Sequence, residues 1–376
     1  MAASWVKIVS VAPYRPVDIT STRLFNQRLS GRRFSRPDEV VHWLGAVQAQ
    51  EYPDAKWALG LRMRRASDRA IERAVTAGTV LRTHVLRPTW HFVVPADIRW
   101  MLALTGPGIS RRMAPYNRRL ELDATVFRRS RNAMVRALRD GAQLTRQELK
   151  AVLQRAGVQT DGVQRLAHIV MQAEIDGVIC NGARRGKQHT YASLDGRVPA
   201  TRALSREEAL AELARRYFTS HGPAQAQDFA WWSGLSMSDA RAGLALADRD
   251  LARDTVLGTP YWFSTSVRTL RPPRTAYLLP LYDEYLIAYK DRSAALDLSR
   301  WTRVVGRDPF SAPIVVGGKV VGGWKRAVRG TRIAVSLTPF EPLSKRDASA
   351  IADAARDYGE FVGMEPDLSW RDYRSD

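Results

Sequence analysis

The chain has 376 residues, 45% hydrophobic and 9% aromatic, with glycine and proline scattered rather than clustered, which exceeds what one core usually organises and excludes a low-complexity or disordered protein. Its 58 Lys and Arg against 38 Asp and Glu leave a formal charge of +20; that imbalance points to a polyanionic partner, with an arginine-rich coding bias as the competing source. One cysteine, Cys180, excludes a disulfide framework and a Cys-rich zinc site, and with no leader pattern and no apolar run near the roughly 18 residues of a membrane span, a soluble cytoplasmic protein is expected.

Apolar periodicity predicts helices over 20–30 and 37–50 and an amphipathic segment over Asp68–Ala77. Strands follow over Thr79–Leu86 and Thr89–Val94, joined through Pro88. Three helices and then a two-stranded hairpin is the winged-helix order. The order recurs in helices Asp123–Leu138, Leu144–Arg155 and Val163–Ile175, the last ended by Gly177. Strands Val178–Asn181 and Thr190–Leu194 then flank the basic loop Arg184-Arg185-Gly186-Lys187, a wing tip. A third round opens at Ser205, whose capping box with Glu208 starts a helix to Phe218. Helices Ala224–Ser233 and Met237–Ala247 come next, with Tyr261–Phe263 and Ala276–Leu279 as the expected wing. Beyond about 285, Pro313–Trp324 and Thr331–Thr338 alternate like strands around a Gly317-Gly318 turn, and an amphipathic helix covers 344–358. The expected fold is α+β, mainly α. Three tandem winged-helix motifs occupy 1–120, 121–203 and 204–284, and a β-rich module occupies 285–376.

In LGAVQAQ, Gln48 and Gln50 stand at the end of an apolar helical run. Two amides are poor core material but well suited to holding a water or a sugar-phosphate atom. Residues i and i+2 of a helix diverge, so convergence requires the helix to end near Gln48 in an irregular turn; helix capping or simple exposure is the competing reading. Arg87, Thr89 and His91 can project from the hairpin, with Thr89 and His91 on one face, to flank a ligand or to serve as satisfied structural groups. Arg82 and Arg87 read as phosphate contacts. Arg184, Arg185 and Lys187 are either solvated charge or a wing tip against phosphates. A second Gln-x-Gln, Gln225 and Gln227, reads as a helix N-terminal feature; Asp283, Asp291 and Arg292 read as a structural ion pair rather than paired catalytic carboxylates, and Trp231 and Trp232 as core rather than base-stacking platforms. The histidines at 42, 84, 91, 168, 189 and 221 show no zinc spacing, and the glycines form no phosphate loop or dinucleotide fingerprint, so neither a metal nor a nucleotide cofactor is expected.

Five segments taken in order, VQAQEYPDAKWALGLR, RTHVLRPTWHFVVPADIRWML, GPAQAQDFAWWSGLSMSDAR, LLPLYDEYLIAYKDR and GGKVVGGWKR, resemble the AlkZ-type family of winged-helix DNA glycosylases over about residues 20–360. The resemblance implies three winged helices and a C-terminal β-barrel, C-shaped around a basic concave channel, in a monomeric enzyme that acts on double-stranded DNA. The family's Gln-apolar-Gln motif falls on Gln48, Ala49 and Gln50, which implies that the two glutamines are catalytic; a related branch carries Asp at the last position, so the match is to the crosslink-specialised, self-resistance branch. The implied reaction removes N7-alkylated or bulky-adduct purines and unhooks interstrand crosslinks, leaving abasic sites. The competing reading is a non-enzymatic winged-helix protein, a transcription regulator or a lesion-sequestering protein.

Overall fold

The computed structural model describes residues 17–162, 164–265, 275–306 and 312–371. Helix α1 (Ile19–Asn26) starts at Asp18, whose carboxylate accepts the Ser21 N–H. Helix α2 (Pro37–Leu44) has proline in its first turn and stops at Gly45, φ +81. The helix expected to reach residue 50 therefore ends early, and Val47–Gln48 form strand β1 instead. Helices α3 (Tyr52–Gly60) and α4 (Asp68–Ala77) lead to the hairpin β2 (Leu81–His84) and β3 (Trp90–Val93), and the sheet order is β1-β3-β2.

A 25-residue helix that the sequence reading did not anticipate, α5 (Pro95–Arg119), then crosses to the second unit. There α6 (Ala124–Ala137), β4 (Gln143–Thr145), α7 (Arg146–Arg155), α8 (Arg165–Ile175), β5 (Ile179–Asn181) and β6 (Thr190–Ser193) repeat the helix-strand-helix-helix-strand-strand order, with sheet order β4-β6-β5. Val163, the expected start of the third helix of this unit, lies outside the described residues.

A short α9 (Leu194–Arg197) precedes α10 (Arg206–Ser220), which opens on the reciprocal Ser205 and Glu208 capping box. Helices α11 (Ala226–Ser233) and α12 (Met237–Leu246) follow, then the antiparallel pair β7 (Leu251–Val256) and β8 (Thr259–Ser264), with a single bridge from Ala224 to Trp262 in the place of a third strand. The wing expected from Tyr261–Phe263 with Ala276–Leu279 is corrected: Tyr261–Phe263 pairs with β7, whereas β9 (Ala276–Leu278) pairs with Ile314, Val315 and Val316.

After α13 (Glu284–Ile287) and α14 (Leu298–Val304) come β10 (Pro313–Val316), β11 (Lys319–Arg329), β12 (Arg332–Pro339), α15 (Lys345–Val362) and β13 (Glu365–Trp370). They form a curled five-stranded sheet in the order β13-β12-β11-β10-β9. Gly317 and Gly318, at φ +56 and +84, make the tight turn between β10 and β11 that only residues free of a Cβ adopt cheaply. β13 joins parallel to β12 through the α15 crossover, and α15 packs on both edge strands, β9 and β13. Among the described residues these two edges do not pair, so the sheet is open rather than a closed barrel.

One hydrophobic core runs from Leu24, Leu44 and Trp57 of the first unit into Leu278, Trp324 and Phe361 of the sheet; a second joins β2 and α5 to α10 and α11; a third belongs to the second unit. Among the described residues, no helix is long and apolar enough to cross a membrane.

Candidate active site

The extended course of β1 sets the two glutamines. Val47 and Ala49 are 1% and 0% exposed in the first core, and alternate residues of an extended chain face opposite sides. Gln48 therefore turns away from that core. A Gln-Ala-Gln spacing suits a strand, which sends i and i+2 to the same side, and the small middle residue fits the packed face. The irregular helix end expected here is corrected on this point.

Gln48 is 7% exposed and held at two points. Its backbone N–H donates to Glu284 Oε1 at 2.8 Å, and Arg87 Nη2 donates to its Oε1 at 2.8 Å. Because a guanidinium only donates, the amide is locked with its oxygen toward Arg87. Gln50 is half-buried in the bend after β1, and among the described residues its side chain has no hydrogen-bond partner.

Arg87 leaves a tight corner. Leu86 stands at φ +63, its N–H donates to Thr105 Oγ1 at 3.1 Å, and a Cβ on Gly234 (φ +69) would lie 2.2 Å from Leu86 O. Gly234→Ala is expected to lower stability by roughly 2 kcal/mol or more, from the left-handed backbone and the main-chain clash together, read as a lower urea midpoint. Burial pushes the Arg87 guanidinium down to about 10 against the pull of Glu284, with Arg292 and Arg112 adding like charge; it stays charged at neutral pH.

Beneath Gln48, the fully buried Glu284 also accepts Trp232 Nε1 at 3.0 Å and faces His221 Nε2 at 3.5 Å. Burial alone would raise this carboxyl, but His221, the Gln48 N–H and Arg87 outweigh it and hold it below the usual range. Sequence reading gave Glu284 and His221 no role and took Trp232 only as core. The available signal was an acid directly before the apolar run Tyr285-Leu286-Ile287.

His91 pairs across β3 with Gln48 on one side and Thr83 on the other. Its Nδ1–H donates to Thr89 O at 2.9 Å, and its Nε2, like Thr89 Oγ1, is buried without a partner among the described residues. Burial, with Arg87 close by, keeps His91 well below its ordinary range, so the ring is neutral at pH 7. Arg82 is not the surface phosphate contact expected of it: it is 9% exposed, donates to Ala49 O at 2.9 Å and Gln50 O at 3.4 Å, and lies 4.3 Å over the Trp90 ring. It clamps the backbone of the glutamine motif. Arg184 pairs with Glu72 and Arg185 with Glu148, while Lys187 is exposed at the loop tip.

The second Gln-x-Gln is a helix start: Gln225 forms a capping box with Asp228 and accepts from Gln227 at 2.8 Å. Asp283 does form an ion pair, but with Arg62 at 2.8 Å rather than with Arg292, which donates to the Leu286 and Lys290 carbonyls. Trp232 is core, whereas Trp231 is 39% exposed.

Comparison with known proteins shows the family and the fold. The family model described as "DNA glycosylase AlkZ-like" matches residues 41–361. A relative, the interstrand DNA cross-link repair glycosylase of Streptomyces sahachiroi, is 23% identical over 364 residues, covering 91% of this chain and 95% of that protein. The solved structure of Streptomyces sahachiroi DNA glycosylase AlkZ matches with a TM-score of 0.78 and 21% identity over 94% of this chain and 98% of that one. The family match spans most of the chain and includes both glutamines, so this chain belongs to the AlkZ-like DNA glycosylase family.

Proposed function

We propose that the protein is a monofunctional DNA glycosylase that hydrolyses the N-glycosidic bond of N7-alkylated or bulky-adduct purines and unhooks interstrand crosslinks, leaving abasic sites, in genotoxin self-resistance or base-excision repair. The observation that carries this reading is an amide pair with unequal restraint: Gln48 locked by Arg87 and Glu284, and Gln50 with a side chain that has no hydrogen-bond partner among the described residues. Alkylation at N7 makes the purine a cationic leaving group, so no strong general acid is needed. A fixed amide dipole and an oriented water then suffice. Gln50 takes the water, Gln48 faces the developing sugar cation, and the buried Glu284 charge offsets Arg87. No lysine nucleophile is required, which favours hydrolysis.

The three helix-rich units are read as winged helices arranged in a C around a basic channel that takes double-stranded DNA as a monomer, in the cytoplasm. Lys187, whose ammonium has no partner among the described residues, is the wing-tip cation offered to phosphate. The Arg184 and Arg185 pairs are surface bridges of small net worth that phosphates can replace. Thr89 flanks the lesion, with the wholly buried His91 behind it fixing the hairpin through its bond to Thr89 O.

Duplexes carrying N7-methylguanine or a nitrogen-mustard crosslink, incubated with the protein and scored for alkali-labile sites, test the reading. Gln48→Ala and Gln50→Ala should each lose about a hundredfold in single-turnover rate while retaining binding. Wild-type protein that binds a specific sequence tightly and excises nothing would establish the regulator reading instead.

A further inference from the structure

Trp231 lies in the last turn of α11, 39% exposed, next to the wholly buried Trp232. Its Nε1 donates to Ile287 O at 2.9 Å, which fixes the ring edge. The guanidinium carbons of Arg87 and Arg292 stand 5.9 Å and 5.4 Å from the ring centroid. Arg112, exposed on α5, reaches Gly234 O at 3.2 Å, just past the end of the same helix. Arg87 is also the donor that locks Gln48, so one side chain links this indole to the glutamine motif.

A rigid, part-exposed aromatic face framed by guanidinium groups is the combination that holds a nucleotide of an opened strand, with the base on the ring and the phosphate on the arginines. A cationic N7-alkylpurine is the wrong occupant, because Arg87 and Arg292 already surround the ring with like charge. An undamaged, neutral base suits it. We propose that Trp231 is the stacking platform for an unmodified nucleotide beside the lesion, with Arg112 and Arg292 on its phosphate. This rests on the glycosylase reading, since it requires the duplex to open next to Gln48; a crosslinked purine, tethered to both strands, resists full flipping, and holding its neighbour open is an alternative route to the bond.

The test uses undamaged DNA with a short internal bubble, a fully paired control, and fluorescence anisotropy across a salt series. Trp231→Ala should weaken bubble binding about tenfold, with Trp231→Phe restoring it to within about threefold, because stacking needs a ring and not the indole N–H. Arg112→Gln should reduce the log–log salt slope by about one. Single-turnover excision at saturating protein should slow in Trp231→Ala and recover in Trp231→Phe in step with bubble affinity, whereas general loosening of the site would weaken the paired control equally. Bubble affinity within about twofold of wild type, or an equal loss on the paired control, overturns the proposal. If Trp231→Ala fails to fold, Trp231→Leu with undiminished bubble affinity, or Arg112→Gln with an unchanged slope, overturns it just as well. Trp231-dependent bubble binding by a wild-type protein that excises nothing would sink the glycosylase reading and leave the platform standing.

Discussion

Glu284→Ala is expected to cost about 3–5 kcal/mol of stability and to abolish most excision, because one buried carboxylate holds several groups at once. Its removal orphans the Gln48 N–H and Trp232 Nε1, each bonded at 3.0 Å or less, and takes from Arg87 the carboxylate that most favours its charge. Glu284→Gln separates charge from shape, since a carbonyl remains for the Gln48 N–H. That variant should fold, lose roughly 1–3 kcal/mol, and still excise slowly, because the uncompensated Arg87 cation opposes the sugar cation. Acid adds a second readout. The native carboxyl titrates below its ordinary range, so its stabilisation is present above the unfolded value of about 4.3 and is lost as pH falls through the lower folded value. Wild type and Glu284→Gln should therefore differ most near neutrality and converge in acid, as followed by urea midpoints. A folded Glu284→Gln with wild-type single-turnover rate would remove the charge from the account of the site.

Much of this was legible where local chemistry decides. The Ser205 and Glu208 capping box and the Gly317-Gly318 turn stand where residue type alone put them. Gln48 and Gln50 were visible as amides in an apolar run. Their strand was not, because Gly45 at φ +81 breaks a periodicity that otherwise continues, and the partner strand lies beyond two further helices. Helix α5 was missed for the opposite reason: Gly106-Pro107-Gly108 and Pro115 are residues that ordinarily interrupt a helix. The helix survives because Ile98, Met101, Thr105 and Ile109 are buried, and because Gly106 lets α8 approach so closely that a Cβ would lie 3.2 Å from Ile175. Tertiary packing there outweighs propensity. Glu284, His221 and Trp232 reach Gln48 only through the fold, and no spacing in the chain reports that meeting.

Arg62→Leu is the complementary test of what holds that meeting in place, with an expected loss of about 3–5 kcal/mol. The Arg62 side chain is fully buried, and its guanidinium donates to Gln27 O, Gln27 Oε1, Ala58 O and both oxygens of Asp283 at 2.8–3.0 Å. It therefore ties α1 and α3 to the start of α13, one residue before Glu284. Leucine removes the donor and leaves Asp283 charged, buried and facing unpaired carbonyls, which is worse than having no pair at all. Adding Asp283→Asn should recover part of the loss, since it removes the stranded charge while keeping an acceptor for the Tyr285 N–H that Asp283 Oδ1 takes at 2.9 Å. Arg62→Lys should not recover it, because a single ammonium cannot span both carboxylate oxygens and both Gln27 acceptors. If Arg62→Leu shifts the urea midpoint by less than the equivalent of about 1 kcal/mol, the pair is a bystander, and the Gln48 strand is held by apolar packing alone.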